Sequence, residues 1–143
     1  MKTVFFTLIV LATTKLWAQQ TPQIRVCNIS NGYFQALDLA APVNDNVGFC
    51  RYDKVLFGAI SALKALDGIL TDASRSFIAT DSAVYSSCQD AGAIRVNAQQ
   101  NRRMDRVCYF ADGSVISELS LVEGWNSTIN RKLRDFLEAT GVK

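Results

Sequence analysis

The chain has 143 residues, with 15 Lys and Arg against 13 Asp and Glu, four cysteines and no histidine. That length is one ordinary domain with enough residues for a hydrophobic core. The lack of histidine excludes Ser-His and Cys-His catalysis and His-ligated metals, and the near balance of charge excludes general attraction to nucleic acid or acidic lipid.

Residues 1–18 have the order of a secretory leader: Lys2, an apolar stretch over residues 4–12, then small and polar residues up to a cut expected after Ala18. The apolar stretch is shorter than the ~20 residues a membrane-spanning helix needs. Removing Lys2 and Lys15 with the leader takes the 15 basic residues to 13, equal to the 13 acidic ones. The expected mature chain, residues 19–143, is therefore neutral, with no transmembrane helix.

Over residues 21–50, the apolar Ile24, Val26, Tyr33, Phe34, Leu37 and Phe49 are interrupted by Asn31-Gly32 and by residues 41–46, which predicts strands separated by turns. Leu56, Ile60, Leu63, Leu66, Ile69 and Leu70 then recur every three or four residues, which predicts a helix with Asp53 as its N-cap. A second helix is expected over residues 82–91, capped by Asp81 and stopped by Gly92. Residues 93–97 and 106–110 read as the strands of a hairpin around a polar loop at 99–103, followed by a turn at Asp112-Gly113. Residues 115–122 suit a helix or a strand, with helix preferred. The last helix, within residues 127–140, presents Ile129, Leu133, Phe136 and Leu137 on one face, starts at Ser127 or Thr128 and stops at Gly141.

Cys27, Cys50, Cys88 and Cys108 all follow the leader, and an even count in an exported chain reads as two disulfides. Three pairings are possible. Sequence-local pairing, Cys27 with Cys50 and Cys88 with Cys108, is favoured by a weak internal repeat. In each half a glycine follows the first cysteine, a β-like stretch and a polar loop lead to the second, and an apolar helix-like segment comes after. A zinc site is the rival reading; without histidine or a Cys-x-x-Cys pair it has little support. The expected fold is α+β: small antiparallel hairpins with packed helices, in two degenerate hairpin-helix repeats over residues 21–70 and 80–126, stapled by disulfides and packed on a shared sheet.

In the second half, Cys88-Gln89-Asp90-Ala91-Gly92 is followed by Cys108, by Asp112-Gly113-Ser114 and by Glu118 and Gly124. This succession resembles the small exported bacterial domain of unknown function 333, a family that also carries a hemolysin label. Ala93 stands where that family has a second glycine, Leu119 where it has tryptophan, and Ile116 and Asn126 where it has two more cysteines. Loss of both cysteines is what deletion of one bridge predicts. The resemblance implies a fold and a compartment, and no chemistry.

Few residues offer chemistry. Asp112 and Glu118 are explained by a turn and a solvated face, and Ser61-Ala62-Leu63-Lys64, which has Ser-Lys spacing, by an amphipathic helix. No catalytic, cofactor or metal residues are assigned. Arg102, Arg103 and Arg106, in the loop at 97–106 with Arg95 nearby, are the candidate partner-binding residues, since a basic loop on a stapled hairpin suits an acidic partner. The reading is a periplasmic or secreted, non-catalytic binding or envelope-associated module with a protein or envelope partner. The alternatives are a protease-inhibitor-like protein acting through the 97–106 loop and, third, a hydrolase without histidine.

Overall fold

The computed structural model describes residues 21–80 and 85–141; the leader expected over residues 1–18 and the Asp81 cap lie outside them. The first element corrects the expectation of strands before Asn31. Pro22–Ile29 form helix α1. Pro22 sits in its first turn, where a missing N–H costs nothing, and the Thr21 side chain accepts a hydrogen bond from the Ile24 N–H at 3.3 Å. Ile24 and Val26 look like strand alternation, yet the buried set is Val26, Cys27 and Ser30, a helical face.

Tyr33–Leu39 (β1), Asp45–Tyr52 (β2) and Val55–Gly58 (β3) form an antiparallel meander, followed by helices Ala59–Leu66 (α2) and Asp72–Ala79 (α3). Ile94–Gln100 (β4), Arg103–Tyr109 (β5) and Val115–Ser117 (β6) form a second meander, followed by Glu118–Glu123 (α4). Thr128–Asn130 make a 3₁₀ turn leading into Arg131–Ala139 (α5). The two meanders close into one antiparallel barrel, in the order β1-β2-β3-β6-β5-β4, rather than an open sheet under helices. Closure leaves no strand edge among the described residues for another chain to extend. At the β3–β6 seam the ladder is a single pair, Phe57↔Ile116, reinforced by the Ser117 hydroxyl, which accepts from the Leu56 N–H and donates to the Leu56 carbonyl.

Alternation along the strands sorts the core into two layers. Leu37, Leu39, Phe49, Leu56, Val96, Ala98, Val107 and Val115 fill the barrel. Cys50, Tyr52, Phe57, Cys108 and Ile116 face outward under the helices, where they meet Val26, Ala62, Phe77, Leu121, Leu133 and Leu137. Tyr52 is held in that outer layer with its hydroxyl 2.6 Å from the Ser30 hydroxyl. Burial pushes the Tyr52 phenol up to about 12, against the opposing pull of the Ser30 hydrogen bond. An acid whose pKa is raised on folding stabilises the fold below its unfolded value and loses that contribution as pH rises through the folded one, here between about 10 and 12. Ultraviolet titration of the four tyrosines should therefore show a step near 12 that disappears in Tyr52→Phe.

Further expectations are corrected. Asp53 is no helix cap: it adopts φ 57 in the tight turn between β2 and β3, where Tyr52 pairs with Val55, and its carboxylate meets Lys132 Nζ at 3.1 Å. Leu56 belongs to a strand covered on both faces, whose run of apolar residues blends into the helix that follows. Asp72–Ala79 is a helix that periodicity missed, capped by Thr71, whose side chain accepts from the Ser74 N–H at 3.4 Å. The helix expected at 82–91 is absent from its described part: residues 85–91 form turns, closed by Ser86 donating to Asp90 and by the Cys88 carbonyl accepting from Ala91 and Ala93, with Gly92 at φ 78. Residues 115–122 are both strand and helix, changing at Ser117–Glu118. The C-terminal helix keeps its apolar face and glycine stop but begins at Arg131, with Asn130 as N-cap, after a 3₁₀ turn that holds Ile129 and that Ser127 caps. Ser127 accepts from the Ile129 N–H at 3.4 Å, Leu133, Phe136 and Leu137 are buried, and Gly141 ends it at φ 74.

Candidate functional site

The pairing of the cysteines fixes where the arginines can go. Cys27–Cys50 ties the end of α1 to β2, with Cα atoms 4.9 Å apart, and Cys88–Cys108 ties the turn before β4 to β5, at 5.1 Å. The latter lies beside the Arg95↔Cys108 pair, near the base of the β4–β5 hairpin. The Glu118 carboxylate clusters with the Cys88 and Cys108 sulfurs. Those sulfurs are bonded to each other, so they offer no thiolate to the zinc of the rival reading. Glu118 instead accepts from the Cys88 N–H at 3.1 Å and from Arg95 Nε at 2.8 Å, clamping α4 to the hairpin.

The polar stretch at 97–106 proves to be mostly ladder. Strand pairing runs to Gln100↔Arg103, leaving Asn101 and Arg102 as a two-residue tip, with Asn101 at φ 55. Arg102, Arg103 and Arg106 are all exposed, but they do not form one cluster. Arg103 shares a strand face with Asp105 and Val107, while Arg106 shares the outer face with Met104 and Cys108.

Beneath them lies a residue that sequence reasoning did not single out. Arg51 sits in β2 with 1% of its side chain exposed, its Nη2 2.7 Å from Asp105 Oδ2 and its Nε 2.7 Å from Gln35 Oε1. Its Nη1 is buried without a hydrogen-bond partner among the described residues. Arg103 Nε approaches the same Asp105 oxygen at 3.8 Å, and Gln35 continues the network to Gln100. Arg51 follows Phe49 and Cys50 in a stretch that reads as apolar, and nothing in its local sequence marks it as buried.

Between β5 and α4 a groove of about 460 Å³ opens, lined by Met104, Arg106, Leu119 and Val122 with Lys54 and Asp105 at its sides. Met104 and Leu119 are exposed apolar residues. Its acidic groups are already engaged, Asp105 by Arg51 and Arg103, and Glu118 by Arg95. Lys54, Arg102 and Arg106 form no ion pair with any other described residue. The groove therefore combines apolar walls with uncompensated positive charge. No helix among the described residues is long and apolar enough to cross a membrane. Trp125 packs edge-on against Phe77, with ring centroids 4.7 Å apart, and is a packing residue. No family model, curated protein or solved structure matches the chain.

Proposed function

We propose that the chain works outside the cytoplasm, secreted or periplasmic, as a non-catalytic binding or envelope-associated module. Its contact surface is the tip of the β4–β5 hairpin and the groove between β5 and α4, and its partner is an acidic segment of a protein or envelope component. The observation that carries the reading is the charge inventory of this surface: the groove's carboxylates are neutralised internally, while Lys54 and Arg106 in the groove and Arg102 at the hairpin tip are left for a partner. Exposed Met104 and Leu119 supply the apolar contact that converts attraction into affinity. Two disulfides suit an oxidising compartment.

The finer architectural reading, two degenerate copies, belongs to the same proposal. It is supported by the order of three strands and a helix in each half, and by a disulfide in each that joins the segment before the first strand to the second strand. The likeness to domain of unknown function 333 rests on the same succession, with Ile116 filling the core where that family has a cysteine.

The test uses the mature chain and a fluorescent Asp- and Glu-rich peptide carrying one Leu. Binding should weaken with salt, and replacing Lys54, Arg102 and Arg106 together by Ala should lower affinity by about tenfold or more, as the loss of three exposed charges implies. Unchanged affinity overturns the reading. The inhibitor alternative is checked in parallel: inhibition of a trypsin-like protease that Arg102→Ala with Arg103→Ala abolishes would replace the binding-module reading. The two-residue tip at Asn101 and Arg102 gives that alternative less support, because a protease cleft holds an extended segment.

A further inference from the structure

The opposite ends of β3 and β6 carry a second recess, sharing no residue with the hairpin groove. It holds about 100 Å³ and lies between the first turn of α2 and the turn at Asp112 and Gly113. A cavity of 150 Å³ accommodates benzene, so this one, open on one side, suits a group of about four or five heavy atoms.

Its polar groups are unequally satisfied. At the N-terminus of α3 the orphan N–H groups have partners: Asp112 Oδ2 accepts from the Asp72 N–H and the Ser114 hydroxyl oxygen from the Ala73 N–H, each at 3.2 Å. Asp112 Oδ1 also accepts the Ser114 N–H at 2.9 Å and the Ser114 hydroxyl. Burial works against ionisation of Asp112, but these hydrogen bonds and the nearby Lys64 charge outweigh it and hold the carboxyl below its ordinary range. At the N-terminus of α2, by contrast, the N-cap is Gly58, which has no side chain to accept the first-turn N–H groups. Ser61, 2% exposed, lines the recess, and its hydroxyl makes no hydrogen bond to any other described residue. Lys64, one turn further, brings an ammonium to the same rim; its charge favours ionised Asp112 from a distance, but it lies within ion-pair distance of no other described carboxylate. Val47, Ile60 and Val115 make the remaining wall apolar.

We propose that this recess binds a small monocarboxylate with a short apolar tail, its carboxylate taken by the Ser61 hydroxyl, the Lys64 ammonium and the first-turn N–H groups of α2, and its tail set against Val47, Ile60 and Val115. A helix N-terminus favours an anion, and the hydroxyl of an otherwise buried Ser61, open to the recess and without a partner among the described residues, is a donor for it. Asp112 on the facing side is ionised, and its repulsion grows with the ligand's charge, so it disfavours doubly charged phosphate more than a monocarboxylate. Gly58 keeps the recess wide: a Cβ there would stand 3.1 Å from Val115 Cγ2 and 3.5 Å from Ser61 Oγ, crowding the first and narrowing the recess.

The test is a titration of the isotope-labelled mature chain with propionate, followed by amide chemical shifts. Saturable shifts should centre on residues 59–64 and 113–115. Ser61→Ala and Lys64→Gln should each weaken binding by about tenfold, the value of one charge-assisted hydrogen bond. Lys64 is exposed, so its replacement preserves the fold and keeps the test decisive even if Ser61→Ala disturbs it. Propionamide, the neutral isostere, should not saturate, and inorganic phosphate should bind more weakly than propionate. The proposal is overturned if propionamide matches propionate, if phosphate binds more tightly, if Lys64→Gln binds like the parent, or if the shifts centre elsewhere.

Discussion

Asp105→Ala destabilises the fold by about 3–5 kcal/mol in urea unfolding, the cost of stranding a buried charge by removing its partner. The large figure rests on Arg51, which is 1% exposed and keeps only the Gln35 hydrogen bond once Asp105 is gone. Its Nη1 already lacks a partner among the described residues, so a second unpaired nitrogen adds to an existing deficit. The double replacement Arg51→Met with Asp105→Leu should recover most of the loss, because two apolar side chains need no hydrogen bonds in the barrel mouth. A loss of less than about 1 kcal/mol for Asp105→Ala would mean that water reaches Arg51 and that the pair behaves as a surface salt bridge. The same change should loosen the hairpin, since Asp105 also holds Arg103.

The second large effect comes from the staple of the hairpin. Replacing Cys88 and Cys108 together by Ser removes a bridge between residues 20 apart and should cost about 3 kcal/mol on the chain-entropy estimate. The Cys27–Cys50 bridge, between residues 23 apart, has nearly the same loop length and nearly the same expected cost. Their local consequences differ. Cys27 is fixed in helix α1, which packs on α2 and β2 and keeps those contacts without the bridge. Cys88 lies in a stretch without helix or strand, held by the disulfide, the Glu118 hydrogen bond and turn contacts. Hydrogen exchange in the Cys88/Cys108 variant should therefore accelerate over residues 85–93 ahead of the rest of the domain. Uniform acceleration across the barrel would show that the two halves unfold as one unit whichever bridge is lost.

Legibility in the sequence followed the range of the interactions. The β4–β5 hairpin, the Asp112-Gly113 turn and the C-terminal helix were readable because glycine, asparagine and apolar spacing specify them locally. The error at Asp53 has the opposite origin. Val55, Leu56 and Phe57 are buried on both faces of β3, so the run shows no period of two, and it merged with the true helix beginning at Ala59. Helix α3 was hidden because its buried residues, Ala73, Ser74 and Phe77, include one polar and one small side chain. Thr71 as a cap was its available signal. The candidate site was half legible: the arginines were visible as a basic stretch, whereas the acids that neutralise one part of the surface and leave another charged come from β5 and α4 and meet their partners only in three dimensions. Ser61 and Lys64 were visible as a spacing, and their helix was foreseen. Their recess was not, because its other wall is 50 residues away in sequence, at Asp112 to Val115.

By itself, then, the sequence determined the α+β composition and a chemistry without histidine and favoured local disulfides among three possible pairings, since each depends on residue type and short spacing; the structure fixed the pairing as Cys27–Cys50 and Cys88–Cys108. Tertiary structure decided the rest. Whether two meanders lie side by side or close on each other depends on the Phe57↔Ile116 and Leu39↔Ala98 pairings, between residues 59 apart in each case. No local preference encodes such contacts, because their free energy comes from the apolar layer they enclose together. The same closure placed a charged arginine where its neighbours in sequence predict only an apolar core.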